Sequence, residues 1–225
     1  MSIRDREYQD AIYEQWARVG KAMSSPKRLE LLDLLAQGPR TVEALARQSS
    51  MTVANASQHL KALRAARLVE SQKKGLYVTY RIAGRDVSAF LRAMRLLAQE
   101  RIAEIGRLTH DFTEKLESLE GVDRRQLLER VRAGKVTVLD VRPREEFLSG
   151  HIPGAISIPL KELRLRLTDL PKSQTIVAYC RGPHCVLAPN AVRLLKKQGF
   201  HAVRLEDGIP DWTAHGLPVA TGERQ

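Results

Sequence analysis

The sequence predicts two domains: a mostly α-helical unit carrying one β-hairpin, followed by an α/β unit built on a parallel sheet. Three observations carry this. Apolar residues recur at helical spacing through roughly the first half of the chain, and strand-like and helical segments alternate in the second. Basic residues concentrate in one helix-plus-hairpin stretch, 52–82. Finally, an apolar β-type run in the second half ends at a short cysteine-headed loop. With 225 residues the chain can bury one large core or two ordinary ones.

In the first half, helical spacing runs from Tyr8 to Val19 and from Leu29 to Leu35, with Ser24-Ser25-Pro26 as the turn between them. Gly38-Pro39 stops the second helix. Thr41 is placed to cap a short third helix, Val42 to Arg47, and Gln48-Ser49-Ser50-Met51 makes a tight turn. Thr52 then caps a fourth helix running to about Ala65, with Leu60 and Leu63 on its buried side. The runs 68–72 and 76–81 flank Lys73-Lys74-Gly75 as a hairpin. A long helical pattern follows, from about Arg85 to Leu119.

The second half starts with a helix over Asp123–Ala133 and a buried strand over Val136–Asp140. Another helix begins at Glu145-Glu146-Phe147, and Ile156 to Pro159 forms a short strand. A helix is expected around Leu163–Leu167, a strand over Thr175–Tyr179 and a helix over Leu187–Gln198. Ala202–Leu205 gives the last strand and Asp211–His215 the last helix. The short join at Ser118–Asp123 sets the expected domain boundaries at 1–119 and 120–225, with restricted relative freedom.

The net charge is +11. Residues 1–120 hold 20 basic against 15 acidic side chains, and residues 121–225 hold 17 against 11. The window 52–82 alone has six basic residues and one acid, Glu70. A basic stripe confined to one supersecondary unit is the electrostatic footprint of phosphate binding. No apolar run approaches the length of a membrane span, and the charged start Met1–Glu7 does not read as a secretory signal. A soluble cytoplasmic protein without membrane partners is expected. The two cysteines, five positions apart, are no disulfide framework. In a reducing compartment they read as reactive or metal-binding thiols.

A helix, a short turn, a second helix and a basic-tipped hairpin make a winged helix-turn-helix. The residues 57–63 (Ser-Gln-His-Leu-Lys-Ala-Leu), 66–69, Gly75 and 80–82 resemble the ArsR family of bacterial repressors. That resemblance covers about residues 10–110 and implies a homodimer built on the first and last helices, with the fourth helix in the major groove of an operator. Asn55, Ser57 and Gln58 are suited to reading base edges, and Lys61, Arg64, Lys73 and Lys74 to contacting phosphates. His59 suits either DNA or the third helix. Relatives often hold metal or arsenic through third-helix thiols or last-helix Asp and His. Here the third helix has no thiol, and the last offers only His110, Asp111 and Glu114, which is thin for a transition metal. No metal and no cofactor is expected, which shifts sensing to the second domain.

There, Leu139-Asp140-Val141-Arg142, the stretch 150–155, Gly208 with Trp212, and 216–219 resemble the rhodanese sulfurtransferases over about residues 122–222. A thiol at a strand end faces main-chain N–H groups and the positive end of the next helix, and both favour thiolate. The resemblance implies that Cys180 takes a sulfane sulfur from a donor, holds it as a persulfide and passes it to an acceptor thiol. Arg181, Gly182 and His184 complete the loop. Arg181 adds charge, and Pro183 offers no N–H where many relatives have Gly, a departure that bears on turnover speed. Relatives that are phosphatases carry an arginine six positions after the cysteine; here that position is Val186, which argues against phosphatase activity. Cys185 is placed to attack or bridge a persulfidated Cys180. Asp140, Arg142 and His151 are expected to be structural. The function expected is a DNA-binding repressor that detects or processes reactive sulfur through Cys180. Two alternatives stand beside it: a sulfurtransferase whose DNA-binding half regulates its own operon, and a metal or metalloid sensor using the cysteine pair.

Overall fold

A computed structural model describes residues 3–75, 77–114, 121–122 and 124–223. Their packing divides the chain into two units, Met1–Leu91 and Arg92–Gln225. The division falls inside a helix, and the expected boundary at residues 119 and 120 lies outside the described residues, as do Leu76, Ser118, Leu119 and Asp123.

The first unit runs α1 (Ile3–Met23), α2 (Pro26–Ala36), β1 (Arg40–Thr41), α3 (Val42–Gln48), α4 (Val53–Ala65), β2 (Val69–Lys74), β3 (Tyr77–Ile82) and the start of α5 (Arg85–Arg101). Pro26 opens α2 with its ring at a first-turn position, where a missing N–H costs nothing. Thr41 Oγ1 accepts from Ala44 N at 3.3 Å and Thr52 Oγ1 from Asn55 N at 3.2 Å, so both helices of the helix-turn-helix start on a side-chain cap. Between them Ser50 adopts φ 52°, the left-handed residue that turns the chain sharply. Leu31, Leu32, Leu35, Leu45, Leu60 and Leu63, from α2, α3 and α4, are buried together as the core. β2 and β3 pair antiparallel from Val69–Ile82 to Lys74–Tyr77, and Gly75, at φ 60°, starts the tight reversal. β1 adds a third strand to this sheet on the far side of β3. Sequence periodicity has no means of showing it, because two residues complete no period.

The second unit contains the rest of α5, then α6 (Ala103–Glu114), β4 (Gly121–Val122), α7 (Arg124–Arg132), β5 (Val136–Asp140), α8 (Arg144–Ser149) and β6 (Ile156–Ser157). β7 (Thr175–Tyr179), α9 (Leu187–Lys197), β8 (Ala202–Leu205) and α10 (Ile209–Ala214) complete it. The strands form one parallel sheet in the order β4-β8-β7-β5-β6. Leu139, Ile176, Ala191, Val192 and Leu195 pack one apolar cluster, and Val138, Val177, Val203 and Trp212 another. β7 contributes to both, and its residues from Ile176 to Tyr179 are buried, as a central strand covered on both faces requires.

Two expectations need correction. The single long helix from Arg85 is two helices parted at Ile102, where Ile105 N donates to Ile102 O over three residues and the ladder tightens. The helix expected around Leu163–Leu167 is two 3-10 turns, Leu163–Leu165 and Leu167–Asp169. Pro159 and Pro171 bracket that segment, leaving too little chain between them for an α-helix to establish itself. Among the described residues, no helix is long and apolar enough to cross a membrane.

Candidate functional site

Tyr179 ends the central strand and Leu187 opens α9, so residues 180–186 form a loop at the carboxyl end of the sheet, where parallel α/β folds place their sites. Cys185 N donates to Gly182 O at 3.1 Å and folds the loop back on itself. The two thiols are thereby brought together: their side chains share a hydrogen bond, and Cys180 Sγ lies 3.6 Å from Cys185 O. Gly182 and Ala188 aim main-chain N–H groups at Cys180, while Arg181 and Leu187 aim theirs at Cys185. Four amides therefore converge on two sulfurs, a nest for negative charge.

The thiolate that the strand-end position was expected to favour at Cys180 is opposed by its surroundings. Cys180 is 2% exposed and belongs to the apolar cluster beneath the loop. Burial, then the neighbouring Cys185, push its thiol well up, against the pull of its two amides. Cys185 is the more open of the two. The hydrogen bond from Cys180 brings its thiol down to about 7 despite burial, helped by the Arg181 and Leu187 amides and the Arg181 charge. The pair thus loses its first proton from Cys185, because the deeper sulfur is poorly solvated as an anion and serves as donor instead.

The other loop residues are held from outside. Arg181 makes a bidentate pair with Glu146, Nη2 to Oε1 at 2.6 Å and Nε to Oε2 at 3.0 Å, and that carboxylate is fully buried. The guanidinium expected to serve the sulfur is thus anchored to α8 and acts on Cys185 through its field and its backbone N–H. Gly182 sits at φ 144°, and a Cβ there would meet Arg95 Nη1 at 3.2 Å. Gly208 is more constrained: a Cβ would fall 2.0 Å from Arg181 O. That glycine, at the N-cap of α10, lets two backbones touch. His184 hydrogen-bonds Gln99 Nε2 through Nε2 at 2.8 Å and approaches Thr109 Oγ1 through Nδ1 at 3.5 Å. Burial, then Arg95 and Arg204, lower its pKa, so the ring is held toward its neutral form.

Asp140, Arg142 and His151 have structural surroundings. Arg142 is fully buried, with Nη2 2.6 Å from Asp140 Oδ2 and 2.7 Å from Gly150 O. Burial opposes its charge, but the Asp140 carboxylate overrides this and holds the guanidinium above its ordinary range. Burial and then Asp140 raise the Tyr179 phenol, whose oxygen accepts from Ile152 N at 3.2 Å. His151 stacks on Phe147 at 3.7 Å between ring centroids, with Nδ1 2.8 Å from Phe147 O.

Sequence reasoning missed Asp211, which is buried and receives Arg92 Nε at 3.0 Å, Arg95 Nη2, and Gly208 N at 3.5 Å. It also missed Glu146, Arg95 and Arg204. The available signal was Asp211 itself, an acid in the first turn of a short Pro-started helix. Nothing local marks Arg95, whose partner Asp211 lies far away in sequence.

On the first unit, α4 buries Ala56, Leu60 and Leu63. Helical periodicity sets Gln58 and Lys61 opposite that stripe, with Ser57 and Arg64 flanking it on one side and Asn55 on the other. Asn55, Gln58, Lys61, Arg64 and Lys73 are exposed, while Ser57 and His59 are half-buried. Arg64 Nη1 donates to Ser71 Oγ at 3.0 Å, tying the helix to the hairpin. Lys74 ends β2, and its side chain lies outside the described residues.

These features define a class of protein, a winged helix-turn-helix regulator joined to a rhodanese-like domain. Comparison with known proteins agrees. The model of the bacterial regulatory protein, arsR family, matches residues 25–71, and that of the rhodanese-like domain matches residues 123–215. The chain is 46% identical over 212 residues to the HTH-type transcriptional regulator Rv0324 of Mycobacterium tuberculosis, covering 94% of this chain and 93% of that one. A sulfurtransferase of Allochromatium vinosum is 34% identical over 89 residues, 39% of this chain and 81% of that one. Among solved structures, the homodimeric winged helix-turn-helix domain of a possible ArsR-family regulator from Mycobacterium bovis is 42% identical, with TM-score 0.41, covering 45% of this chain and 91% of that one. The chain belongs to the ArsR-family transcriptional regulators and carries a C-terminal rhodanese domain.

Proposed function

We propose that this regulator is a homodimeric, cytoplasmic repressor that binds double-stranded operator DNA, and that sulfane sulfur taken up at the Cys180–Cys185 pair changes that binding. The observation that carries the sulfur half is the pair itself: two hydrogen-bonded thiols under four converging amides, with Cys185 held at about 7. Such a nest stabilises a thiolate and, equally, the terminal anion of a persulfide. For the DNA half, the support is the exposed row of Asn55, Gln58, Lys61, Arg64 and Lys73 on one capped helix and its hairpin. α1 leaves Tyr8 68% and Trp16 66% exposed, an apolar face suited to a second copy.

The test is an operator titration at fixed salt with reduced and polysulfide-treated protein. Treatment is expected to shift the wild-type Kd at least about fivefold, within the ordinary range of coupling between two sites. The Cys180→Ser/Cys185→Ser double variant should bind DNA as the reduced protein does, treated or not. A treated wild type with unchanged affinity overturns the reading. The amide nest serves turnover as well as sensing, which favours a second reading, a sulfurtransferase whose DNA-binding half regulates its own expression. There, any response to polysulfide survives in the double variant.

A further inference from the structure

Within the second unit, α5, α6 and α10 all grip the sulfur loop from outside it. Asp211, in the first turn of α10, is buried and accepts from two α5 side chains, Arg92 Nε at 3.0 Å and Arg95 Nη2. The loop rests on that ion pair: a Cβ at Gly182 would lie 3.2 Å from Arg95 Nη1 and 3.5 Å from Asp211 Oδ2. One turn further along α5, Gln99 meets His184 at 2.8 Å, and Thr109 of α6 approaches the other ring nitrogen at 3.5 Å. Arg92, Arg95 and Gln99 are spaced three and four residues apart, so one face of α5 supplies all three side chains. The same helix runs Arg85–Arg101, and residues 85–91 of it belong to the first unit.

We propose that α5 reads the sulfur state of Cys180: a persulfide there displaces Gly182 and His184 from Arg95 and Gln99, and the helix carries that change to the DNA-binding unit. The inference rests on the sulfur-sensing reading above and supplies its coupling. Loading is an exchange with an organic persulfide, R–S–SH. Cys180 gives up its proton and its thiolate attacks the outer sulfur. One S–S bond forms on Cys180, the donor's S–S bond breaks, and RS⁻ leaves and takes up the proton. The product lengthens the side chain by roughly 2 Å. Cys180 is 2% exposed and hydrogen-bonded to Cys185. A close-packed interior has little slack for another sulfur atom, so the loop yields. It yields at Gly182, whose N–H points at the Cys180 sulfur and whose carbonyl accepts from Cys185 N at 3.1 Å. Gly182 is also the residue that rests on Arg95. The grip is held at a cost, because Arg95 Nε is closed to solvent and has no hydrogen-bond partner among the described residues. An element with two arrangements, biased by sulfur at one end and by DNA at the other, is what coupling between two sites requires.

The experiment loads the full-length protein with glutathione persulfide, counts the added sulfur by intact mass, and titrates operator DNA at fixed salt. Loading is expected to shift the wild-type Kd at least about fivefold. Arg95→Met/Gln99→Ala, in which Asp211 keeps Arg92, should take up sulfur as the wild type does and show less than half the wild-type factor in Kd. A second measurement needs no substitution: on loading, main-chain hydrogen exchange over residues 92–101 of the wild type should quicken at least about threefold. Should the double variant fold or load poorly, that exchange decides. A loaded double variant with half or more of the wild-type factor, or exchange that quickens less than this, overturns the α5 route and leaves the sulfur-sensing reading standing. A wild type that takes up no sulfur, or takes it up with no change in Kd, overturns the sensing reading itself.

Discussion

Lys61 and Lys73, on the helix and hairpin of the first unit, are exposed to solvent, whereas four arginines around the sulfur loop end on carboxylates. Arg142 meets Asp140, Arg181 meets Glu146, and Arg92 and Arg95 meet Asp211. Their carboxylate partners are all nearly or fully buried. Cations intended for an outside polyanion must stay hydrated and unclaimed, because their attraction is spent only on binding. Cations that shape a loop are neutralised within the fold, where they position backbone amides. The first arrangement makes function depend on salt and lets single contributions add; the second makes it depend on stability and couples neighbours.

The largest contrast is expected at Arg142. Arg142→Met leaves the Asp140 carboxylate buried without its partner, and such losses cost about 3–5 kcal/mol. Thermal melting of the full chain should show the rhodanese transition lowered by roughly 6–20 °C, at about 2–4 °C per kcal/mol. Operator affinity at low temperature should not change. A melt within a few degrees of wild type would mean that the buried pair is dispensable and the contrast between the regions false.

Next comes the exposed set. Lys61→Gln with Lys73→Gln removes two phosphate partners without touching a buried atom. Affinity should fall about 10- to 100-fold at low salt, equally for every operator variant, and the slope of log K against log salt should shrink by about 2. Gln58→Ala, in contrast, should alter preference among operators more than salt dependence. An unchanged slope in the double variant would place the DNA on another face.

A smaller effect sharpens the sulfur side. Cys185 titrates at about 7, below an ordinary thiol, so its thiolate forms as pH rises through that value. Its alkylation rate should be about tenfold lower at pH 6 than on a plateau reached near pH 8. Cys180→Ala removes the hydrogen bond that does most to lower it, and the midpoint should move upward. A rate still climbing at pH 9 in the wild type would show that the amide nest does not act on Cys185.

The same contrast explains how much the sequence disclosed. α3, α4 and the hairpin were legible because their signals are local: capping threonines, helical periodicity, Gly75 in a basic turn. The strand–loop–helix around Cys180 was legible for the same reason. What escaped were relations between distant residues. The Glu146–Arg181 pair spans 35 positions, and the Asp211 contacts to Arg92 and Arg95 span more than 100. The unequal burial of the two cysteines escaped as well. Loop order puts Cys180 first, but only packing shows that the first cysteine is buried in the core and the second is the more open.

The smallest effect concerns the cap of the DNA-reading helix. Thr52 Oγ1 satisfies one of the otherwise unpaired N–H groups at the start of α4, that of Asn55, 3.2 Å away. Thr52→Ala should cost about 1 kcal/mol, because the amide returns to solvent without a fixed partner. The melting transition of the helix-turn-helix unit should fall by a few degrees. Asn55 lies within the first turn of α4, so fraying there should also weaken operator binding by a few-fold without changing the salt slope. That last feature separates this variant from the lysine pair. A lost cap lowers the population of the correctly folded reader, whereas a lost lysine lowers the charge it presents. A salt slope that changes in Thr52→Ala would mean that this hydroxyl contacts DNA directly and is more than a helix cap.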